Sequence, residues 1–240
     1  GACTIDNSDE LYKQDYTKVI LPRHEQALVH AADAYARSTG KAGVCLVTSG
    51  PGATNLVTGI ATANYDSVPL VCFTGQVARN LIGNDAFQEV DIVGITRSIC
   101  KYGITVQKRE DLGRIIKEAF YIARTGRPGP VVIDLPKDVM AELGSPEYPQ
   151  TVNIRGYKPN TEVHIGQLKR AMKMLNKAKK PLFLAGGGVK IANAVEIFTK
   201  IVDITKIPVV TTIMGRGSIP TNHPLFIGNL GMHGAYAANM

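Results

Sequence analysis

The sequence lacks the paired cysteines on which zinc sites and redox motifs depend. Its 240 residues include four cysteines, Cys3, Cys45, Cys72 and Cys100, which are widely separated and form no C-x-x-C pair. Zinc binding and thioredoxin-like redox chemistry therefore have no support. We expect free thiols in a reducing compartment.

Long apolar runs are also missing. No stretch approaches the roughly 20 apolar residues that a membrane helix needs. The first residues, Gly1-Ala2-Cys3, are soon followed by charged ones and contain neither a basic nor an apolar segment of the kind found in signal peptides. We expect a soluble, cytoplasmic protein that has no membrane partner.

The formal net charge of +7 is not accompanied by a nucleic-acid motif. Basic residues gather locally at Lys177, Lys179 and Lys180, but no sustained basic run is interleaved with aromatic residues. A solvated face, or a field that favours anionic ligands, accounts for the charge. We expect no nucleic-acid partner, and keep a basic nucleic-acid-binding protein only as an alternative that salt-sensitive binding would reveal.

Short apolar runs alternate with longer amphipathic segments, which is typical of an α/β fold with a doubly wound parallel sheet. Continuous apolar strands indicate a sheet that is covered on both faces. In the first part of the chain, the predicted strands are 18–21, 43–48, 69–75, 104–106 and 130–135. The predicted helices there are 25–38, closed by Gly40, then 53–64 and 110–124.

Residues from about 140 to 160 are rich in Gly, Ser, Pro and Tyr, which indicates a linker. We therefore predict a first domain at 1–140, a linker at 141–160 and an incomplete second α/β domain at 161–240. In the second domain, the pattern predicts helices at 164–178 and 192–205, strands at 181–185 and 208–212, and a tight turn at 186–188.

Four segments contain residues that are suited to binding or catalysis. Glu25 begins a predicted helix directly after a predicted strand, where ligands of open α/β sheets gather. An acid that is stabilised by the helix dipole is an equally good explanation. The glycine-rich turn at 49–52 exposes backbone N–H groups, but it matches neither the Walker nor the dinucleotide pattern, and a plain turn would suffice. The other two are the polar loop 83–89 and the segments on either side of strand 130–135.

Taken together, the motifs resemble the pyrimidine-binding domain of thiamine-diphosphate enzymes of the acetolactate synthase group. The runs are, in family order, R-H-E-Q, A-D-A-Y-A-R, V-T-S-G-P-G-A-T-N, T-G-Q-V, D-A-F-Q-E, G-R-P-G-P-V and D-L-P-K-D-V. Farther along, A-G-G-G, T-T-I-M-G-R-G and L-G-M-H-G resemble the FAD-binding stretches of the biosynthetic, flavin-containing enzyme.

The resemblance implies specific roles. Glu25 is expected to share a proton with N1′ of the cofactor's aminopyrimidine, and Gln88 to donate to the oxygen on the reacting carbon. Phe87 would line the site next to that oxygen. Lys137 would bind a keto-acid carboxylate, unless it is simply an exposed lysine. The expected lining of the aminopyrimidine pocket is Gly1, Thr48, Pro51 and Asn55. The expected FAD-binding residues are Arg127, Gly186, Gly187, Gly188, Thr212, Ile213, Met214, Leu230, Gly231, Met232 and His233.

The implied activity is decarboxylation of pyruvate and its carboligation to a second 2-keto acid in branched-chain amino-acid biosynthesis. The implied cofactors are thiamine diphosphate, FAD in a structural role, and Mg2+, whose ligands belong to a G-D-G segment that this chain lacks. The resemblance also implies a homodimer or tetramer, a possible regulatory small subunit, and an organellar location if the source is a plant or fungus. The chain alone is expected to be inactive.

Two other functions fit some of the same residues. Glyoxylate carboligase and the flavin-free catabolic acetolactate synthase are related carboligases, although G-M-H-G and T-T-I-M-G count against the flavin-free enzyme. A non-catalytic nucleotide-binding module would explain the glycine-rich turns, but it leaves R-H-E-Q and D-A-F-Q-E without a role.

Overall fold

The computed structural model describes residues 1–145 and 147–240 and divides the chain into two compact units, Gly1–Thr161 and Glu162–Met240. Each unit has its own parallel sheet and its own buried core. This α/β architecture confirms the predicted fold class. Among the described residues, no helix combines the length and the apolar character needed to cross a membrane.

The first unit contains a four-stranded parallel sheet made of β1 (Gly43–Val47), β2 (Leu70–Gln76), β3 (Tyr102–Thr105) and β4 (Pro130–Pro136). The strands lie in the order β1-β2-β4-β3. All seven residues of the inner strand β4 are buried, as its continuous apolar run predicts.

Helices cover both faces of this sheet. Residues of α2 (Glu25–Thr39) and α4 (Val57–Asp66) contribute to one buried cluster, and residues of α6 (Leu112–Arg124) contribute to a second cluster with β3 and β4. Short 3-10 helices occupy Ala2–Thr4, Arg79–Leu81 and Arg109–Asp111. The α-helices are α1 (Ile5–Tyr12), α2 (Glu25–Thr39), α3 (Pro51–Thr54), α4 (Val57–Asp66), α5 (Ile92–Thr96), α6 (Leu112–Arg124) and α7 (Lys137–Ala141).

Part of the predicted linker packs against the first unit. Ile154 and Tyr157 lie against the cluster that α6 helps to form. The Tyr157 hydroxyl donates to the Thr125 carbonyl at 2.7 Å and accepts from Lys101 Nζ at 2.9 Å. Residue 146 of the predicted linker lies outside the described residues.

The second unit contains a three-stranded parallel sheet in the order β5-β6-β7. Its core consists of Ala185, Val202, Val209 and Ile219. The elements are α8 (Ile165–Lys177), β5 (Phe183–Ala185), α9 (Gly188–Ile191), α10 (Val195–Thr205), β6 (Val209–Thr211), β7 (Phe226–Asn229) and α11 (Tyr236–Asn239).

Two sequence-based predictions about local structure were wrong. Residues 18–21 do not form a strand in the structure, and Leu21 is 93% exposed. An apolar run forms a strand only where a neighbouring strand satisfies its backbone groups, and these residues have no such neighbour in the described part of the chain. The predicted helix 53–64 is interrupted between α3 and α4, at Asn55 and Leu56. The sequence patterns also missed α1, α5 and β7.

Candidate functional site

Glu25 is the first residue of α2 and is held there by its neighbours. The ring of His24 caps the helix, because its Nδ1 accepts from the Gln26 N–H at 3.0 Å. Asn55, which follows α3, donates from Nδ2 to Glu25 Oε2 at 2.9 Å. Two predicted site residues that lie 30 positions apart in the sequence therefore meet in the fold.

The surroundings of Glu25 stabilise its charged form. The hydrogen bond from Asn55 is the largest cause of a lowered pKa, and a backbone hydrogen bond acts in the same direction. Partial burial opposes both effects without reversing them. Glu25 is thus an ionised acceptor at neutral pH.

The turn after β1 brings a buried hydroxyl close to Glu25. Thr48 Oγ1 is buried and makes no hydrogen bond within the described residues. A Cβ added to Gly52 would lie 2.7 Å from Thr48 Cγ2 and 3.7 Å from Glu25 Oε1. A Cβ on Gly1 would come within 2.2 Å of Thr48 Oγ1. Both positions therefore require glycine, because the backbone there packs directly against the Thr48 side chain. Pro51 is exposed at the start of α3.

The loop 83–89 lies against the same turn. Glu89 accepts from the Gly83 N–H at 2.5 Å and from the Ala86 N–H at 2.9 Å, so its carboxylate closes the loop. Gln88 has a positive φ of 60°, and a Cβ on Gly50 would lie 2.8 Å from its carbonyl oxygen. Phe87 is 88% exposed at the loop surface. The structure thus brings Gln88 next to the turn that contains Thr48.

Sequence reasoning missed a buried polar network in the same sheet. Asp134 on β4 accepts from Thr74 Oγ1 at 2.8 Å, and from Gln76 Nε2 and Thr105 Oγ1 at 3.1 Å each. Burial raises the pKa of Asp134 to about 6, although the three donors act in the opposite direction. Polar residues within otherwise apolar strands were the signal that could have revealed this network.

Lys137 is exposed at the start of α7, directly after β4. Since β1, β2 and β4 are parallel, Lys137 and Thr48 lie at the same edge of the sheet. The adjacent Asp138 accepts from Arg79 Nε at 2.6 Å and from the Arg79 N–H at 3.0 Å. This exposed ion pair was not predicted.

In the second unit, the predicted FAD-binding residues follow the carboxyl ends of all three strands. Gly186, Gly187 and Gly188 follow β5, residues 212–214 follow β6, and residues 230–233 follow β7. The Thr212 N–H donates to the Ala185 carbonyl at 3.0 Å, and the Leu230 N–H donates to the Thr211 carbonyl at 2.9 Å. Ten residues are therefore assembled at one edge, which is where open α/β sheets bind ligands.

The glycines at this edge leave the backbone accessible. A Cβ on Gly188 would meet nothing within 4 Å, and one on Gly186 would meet only Thr212 Oγ1, at 3.9 Å. A Cβ on Gly187 would lie 3.2 Å from Met214 Cβ. Ile213, Met232 and His233 are exposed.

Arg127 differs from the other predicted FAD-binding residues because it lies in the first unit. Its Nη2 donates to the carbonyls of Asn64 and Tyr65 at 3.0 Å each, and its Nε donates to Ser67 Oγ at 2.8 Å. The guanidinium therefore satisfies carbonyls at the end of α4. No group of three or more His, Cys, Asp or Glu side chains placed to hold a metal ion occurs in the described residues.

Comparison with protein families identifies both units. Residues 3–95 match the model of the thiamine pyrophosphate enzyme N-terminal TPP binding domain, and residues 168–240 match the thiamine pyrophosphate enzyme central domain. Together the two matches cover well over half of the chain. The chain belongs to the thiamine pyrophosphate enzymes.

Relatives of this thiamine pyrophosphate enzyme are similar along its whole length. It is 52% identical over 242 residues to the acetolactate synthase large subunit of Buchnera aphidicola subsp. Schizaphis graminum, covering 100% of this chain and 42% of the relative. It is 49% identical to the acetolactate synthase isozyme 3 large subunit of Escherichia coli, with the same coverage. It is 47% identical to the acetolactate synthase of Mycobacterium bovis, covering 99% of this chain and 38% of the relative. These similarities confirm the resemblance that the motifs indicated. The chain spans about two fifths of the length of these relatives.

The site around Glu25 fits the aminopyrimidine of thiamine pyrophosphate (thiamine diphosphate). The ring presents donors and acceptors along one edge, and the residues here offer an ionised carboxylate together with the unsatisfied Thr48 hydroxyl. Gly52, which has no side chain, brings the backbone close to both groups. Glu25, Thr48, Asn55 and Gln88 all lie within the range matched by the N-terminal domain model.

Proposed function

We propose that this thiamine pyrophosphate enzyme is an acetolactate synthase, and that its first unit binds and activates the aminopyrimidine of the cofactor. The observation that carries the proposal is the Glu25 carboxylate, held by Asn55 beside the unsatisfied Thr48 hydroxyl. Identity of about 50% to acetolactate synthase large subunits over the whole chain supports the choice within the family.

In this proposal, the Glu25 carboxylate forms a hydrogen bond with N1′ of the aminopyrimidine and shares a proton with that nitrogen. Its lowered pKa keeps it ionised before the cofactor binds, and exclusion of water by the cofactor would raise that pKa towards the value that proton transfer needs. Asn55 orients the carboxylate, while Gly1, Thr48 and Pro51 line the ring. When bound, thiamine diphosphate supplies the carbanion-stabilising chemistry.

The substrates in this proposal are pyruvate and a second 2-keto acid, joined with loss of carbon dioxide in branched-chain amino-acid biosynthesis. Gln88 donates its amide N–H to the oxygen on the reacting carbon, where negative charge develops. Phe87, although 88% exposed in this structure, is assigned to the wall on that side, and Lys137 is assigned to attract the keto-acid carboxylate. The location of Gln88 against the turn after β1, and of Lys137 at the same sheet edge, supports these roles.

The second unit is proposed to bind FAD at the carboxyl edge of its sheet. Backbone N–H groups at Gly186, Gly187 and Gly188 would meet the pyrophosphate, with residues 212–214 and 230–233 beside them. FAD is structural here, because the net reaction involves no redox change. Retention of flavin absorbance by the purified full-length protein, and its loss when Gly188 is replaced by Glu, would test this assignment.

Further parts of the proposed enzyme lie outside this chain. The ligands of Mg2+ and the diphosphate anchor are assigned to a segment that these 240 residues do not contain, so the chain alone should form no acetolactate. A homodimer or tetramer would complete each site. A regulatory small subunit is included because relatives are named large subunits.

The decisive experiment replaces Glu25 by Gln in the full-length protein. Gln retains the shape of the side chain but cannot take up the proton, so exchange of the hydrogen at thiazolium C2 of bound thiamine diphosphate should slow at least about 100-fold. Exchange is measured by NMR after mixing with deuterium oxide and quenching with acid.

Glu196→Gln is the matched control, because Glu196 is also in the first turn of a helix. If Glu25 were only a helix-start acid, both substitutions would cost a few tenths of a kcal/mol and neither would change exchange at C2. Near-normal exchange in Glu25→Gln would overturn the proposal. A non-catalytic nucleotide-binding module would give that result, and would bind FAD or another nucleotide without thiamine diphosphate.

A further inference from the structure

The buried network around Asp134 has no direct part in the proposed reaction. Asp134 is 1% exposed and accepts hydrogen bonds from two neighbouring strands, through Thr74 and Gln76 on β2 and Thr105 on β3. A carboxylate in the interior of a sheet is costly unless it is fully hydrogen-bonded. This network extends to the candidate site through Gln76.

Gln76 uses both ends of its amide. Its Nε2 donates to Asp134 Oδ2 at 3.1 Å and to the Val90 carbonyl at 2.7 Å, and its Oε1 accepts from the Val77 N–H at 2.9 Å. An ionised carboxylate only accepts hydrogen bonds, so Asp134 requires the NH2 end of the amide to face it. The orientation that satisfies Asp134 therefore also fixes the carbonyl of Val90.

Val90 directly follows the loop that contains Gln88. Within that loop, Glu89 accepts from the Gly83 and Ala86 N–H groups, and Gln88 lies against Gly50 in a left-handed conformation. A positive φ costs a residue other than glycine on the order of 1 kcal/mol, so surrounding contacts must maintain it. Contacts thus run continuously from Asp134 through Gln76 and Val90 to the loop.

We propose that Asp134 is a positioning residue that holds Gln88 in place by orienting the Gln76 amide. This inference rests on the proposed function, because it gains a catalytic consequence only if Gln88 contacts the substrate. Its physical part, the coupling between Asp134 and the loop, can be measured separately.

The test uses Asp134→Asn and Gln76→Met in the full-length protein. Asn retains the size of Asp134 but adds an NH2 group that competes with Gln76, while Met removes the amide at similar volume. Asp33→Asn is the control, since Asp33 is another buried aspartate in the first unit and is paired with Arg37 in α2 instead of the loop. Amide hydrogen exchange is followed at Gly83 and Ala86, and kcat for acetolactate formation is measured in parallel.

We expect exchange at Gly83 and Ala86 to accelerate about tenfold in both test variants and to be unchanged in Asp33→Asn. The kcat should fall about tenfold in the test variants only. In the double variant Asp134→Asn with Gln88→Ala, kcat should be no lower than in Gln88→Ala alone, because both changes remove the same contribution. A general loss of stability would instead lower kcat additively.

Unchanged exchange at Gly83 and Ala86 in both test variants would overturn the inference. So would faster exchange with an unchanged kcat, provided that Gln88→Ala itself lowers kcat. If Gln88→Ala has no effect on kcat, the proposed role of Gln88 is what fails, and the exchange data still decide whether Asp134 orders the loop.

Discussion

At the scale of single residues, Glu25 differs from other acids at helix starts because of what surrounds it. Glu196 also occupies the first turn of a helix, where the dipole favours negative charge. Glu25 has in addition a hydrogen bond from Asn55 and a neighbouring hydroxyl on Thr48 that makes no hydrogen bond within the described residues. These two features indicate a site prepared for a ligand, whereas a helix start alone would need neither.

Replacing Asn55 by Ala should raise the pKa of Glu25, because it removes the largest cause of the lowering from the ordinary value of 4.5. A lowered pKa in the folded state stabilises the protein above pH 4.5, and this contribution disappears as the pH falls through the folded-state pKa. As the pH is lowered, the free energy of unfolding of Asn55→Ala should therefore fall less than that of the unsubstituted protein. The measurement is a 13C NMR titration of the Glu25 carboxyl in the cofactor-free protein.

Thr54→Val is a suitable control for this titration, since Thr54 Oγ1 bonds to the Pro51 carbonyl in the same turn and has no hydrogen bond with Glu25. Thr54→Val should leave the pKa of Glu25 unchanged. An unchanged titration in Asn55→Ala would show that the hydrogen bond to Glu25 does not set its charge state.

At the scale of elements, the close approach of α2 and α4 lies beside the candidate site. Gly59 on α4 faces Val29 on α2, and a Cβ on Gly59 would come within 2.2 Å of a Val29 methyl. Both helices contribute to the core on the β1 side of the sheet. Because Glu25 begins α2 and Asn55 shortly precedes α4, the separation of these helices sets the distance between the two side chains.

Gly59→Ala should therefore destabilise the first unit by about 1–3 kcal/mol through overpacking, despite the better helix propensity of alanine. Adding Val29→Ala makes room for the new methyl group, so the cost of Gly59→Ala should be smaller in that background. Urea unfolding of the unsubstituted protein, the two single variants and the double variant gives the cost of Gly59→Ala in each background. Equal costs in the two backgrounds would mean that Gly59 is not in contact with Val29.

At the scale of the whole molecule, the chain contains two units with separate cores. Val202 belongs to the core of the second unit, and Ile60 belongs to a core of the first. Both side chains are fully buried. Each unit thus has the apolar interior that a cooperative unfolding transition requires.

Calorimetry should resolve two transitions that respond to different substitutions. Val202→Ala should cost about 2 kcal/mol and lower one midpoint, while Ile60→Ala should cost about 3 kcal/mol and lower the other. A midpoint falls by about 4–8 °C per kcal/mol for a domain of 60–100 residues and by about 2–4 °C for one of 150–250 residues, so the shifts of both units are measurable. A single transition that both substitutions lower equally would indicate that the two cores unfold as one.

The sequence alone determined the features that depend on neighbouring residues and on recognisable motifs. The helix predicted from Glu25 and closed by Gly40 is α2, the strand predicted at 43–48 is β1, and the ordered motifs led to the thiamine pyrophosphate enzymes. Caps, glycine turns and continuous apolar strands are local patterns that need no information about distant parts of the chain.

Only the tertiary structure decided which distant residues meet. The apolar run at 18–21 predicted a strand, but strand formation depends on a partner, and the run is exposed coil. The bond between Asn55 and Glu25, and the network that links Asp134 through Gln76 to Val90, join residues far apart in sequence. No periodicity or propensity contains such pairings, because they arise when parallel strands and the helices between them bring separate segments to one edge of the sheet.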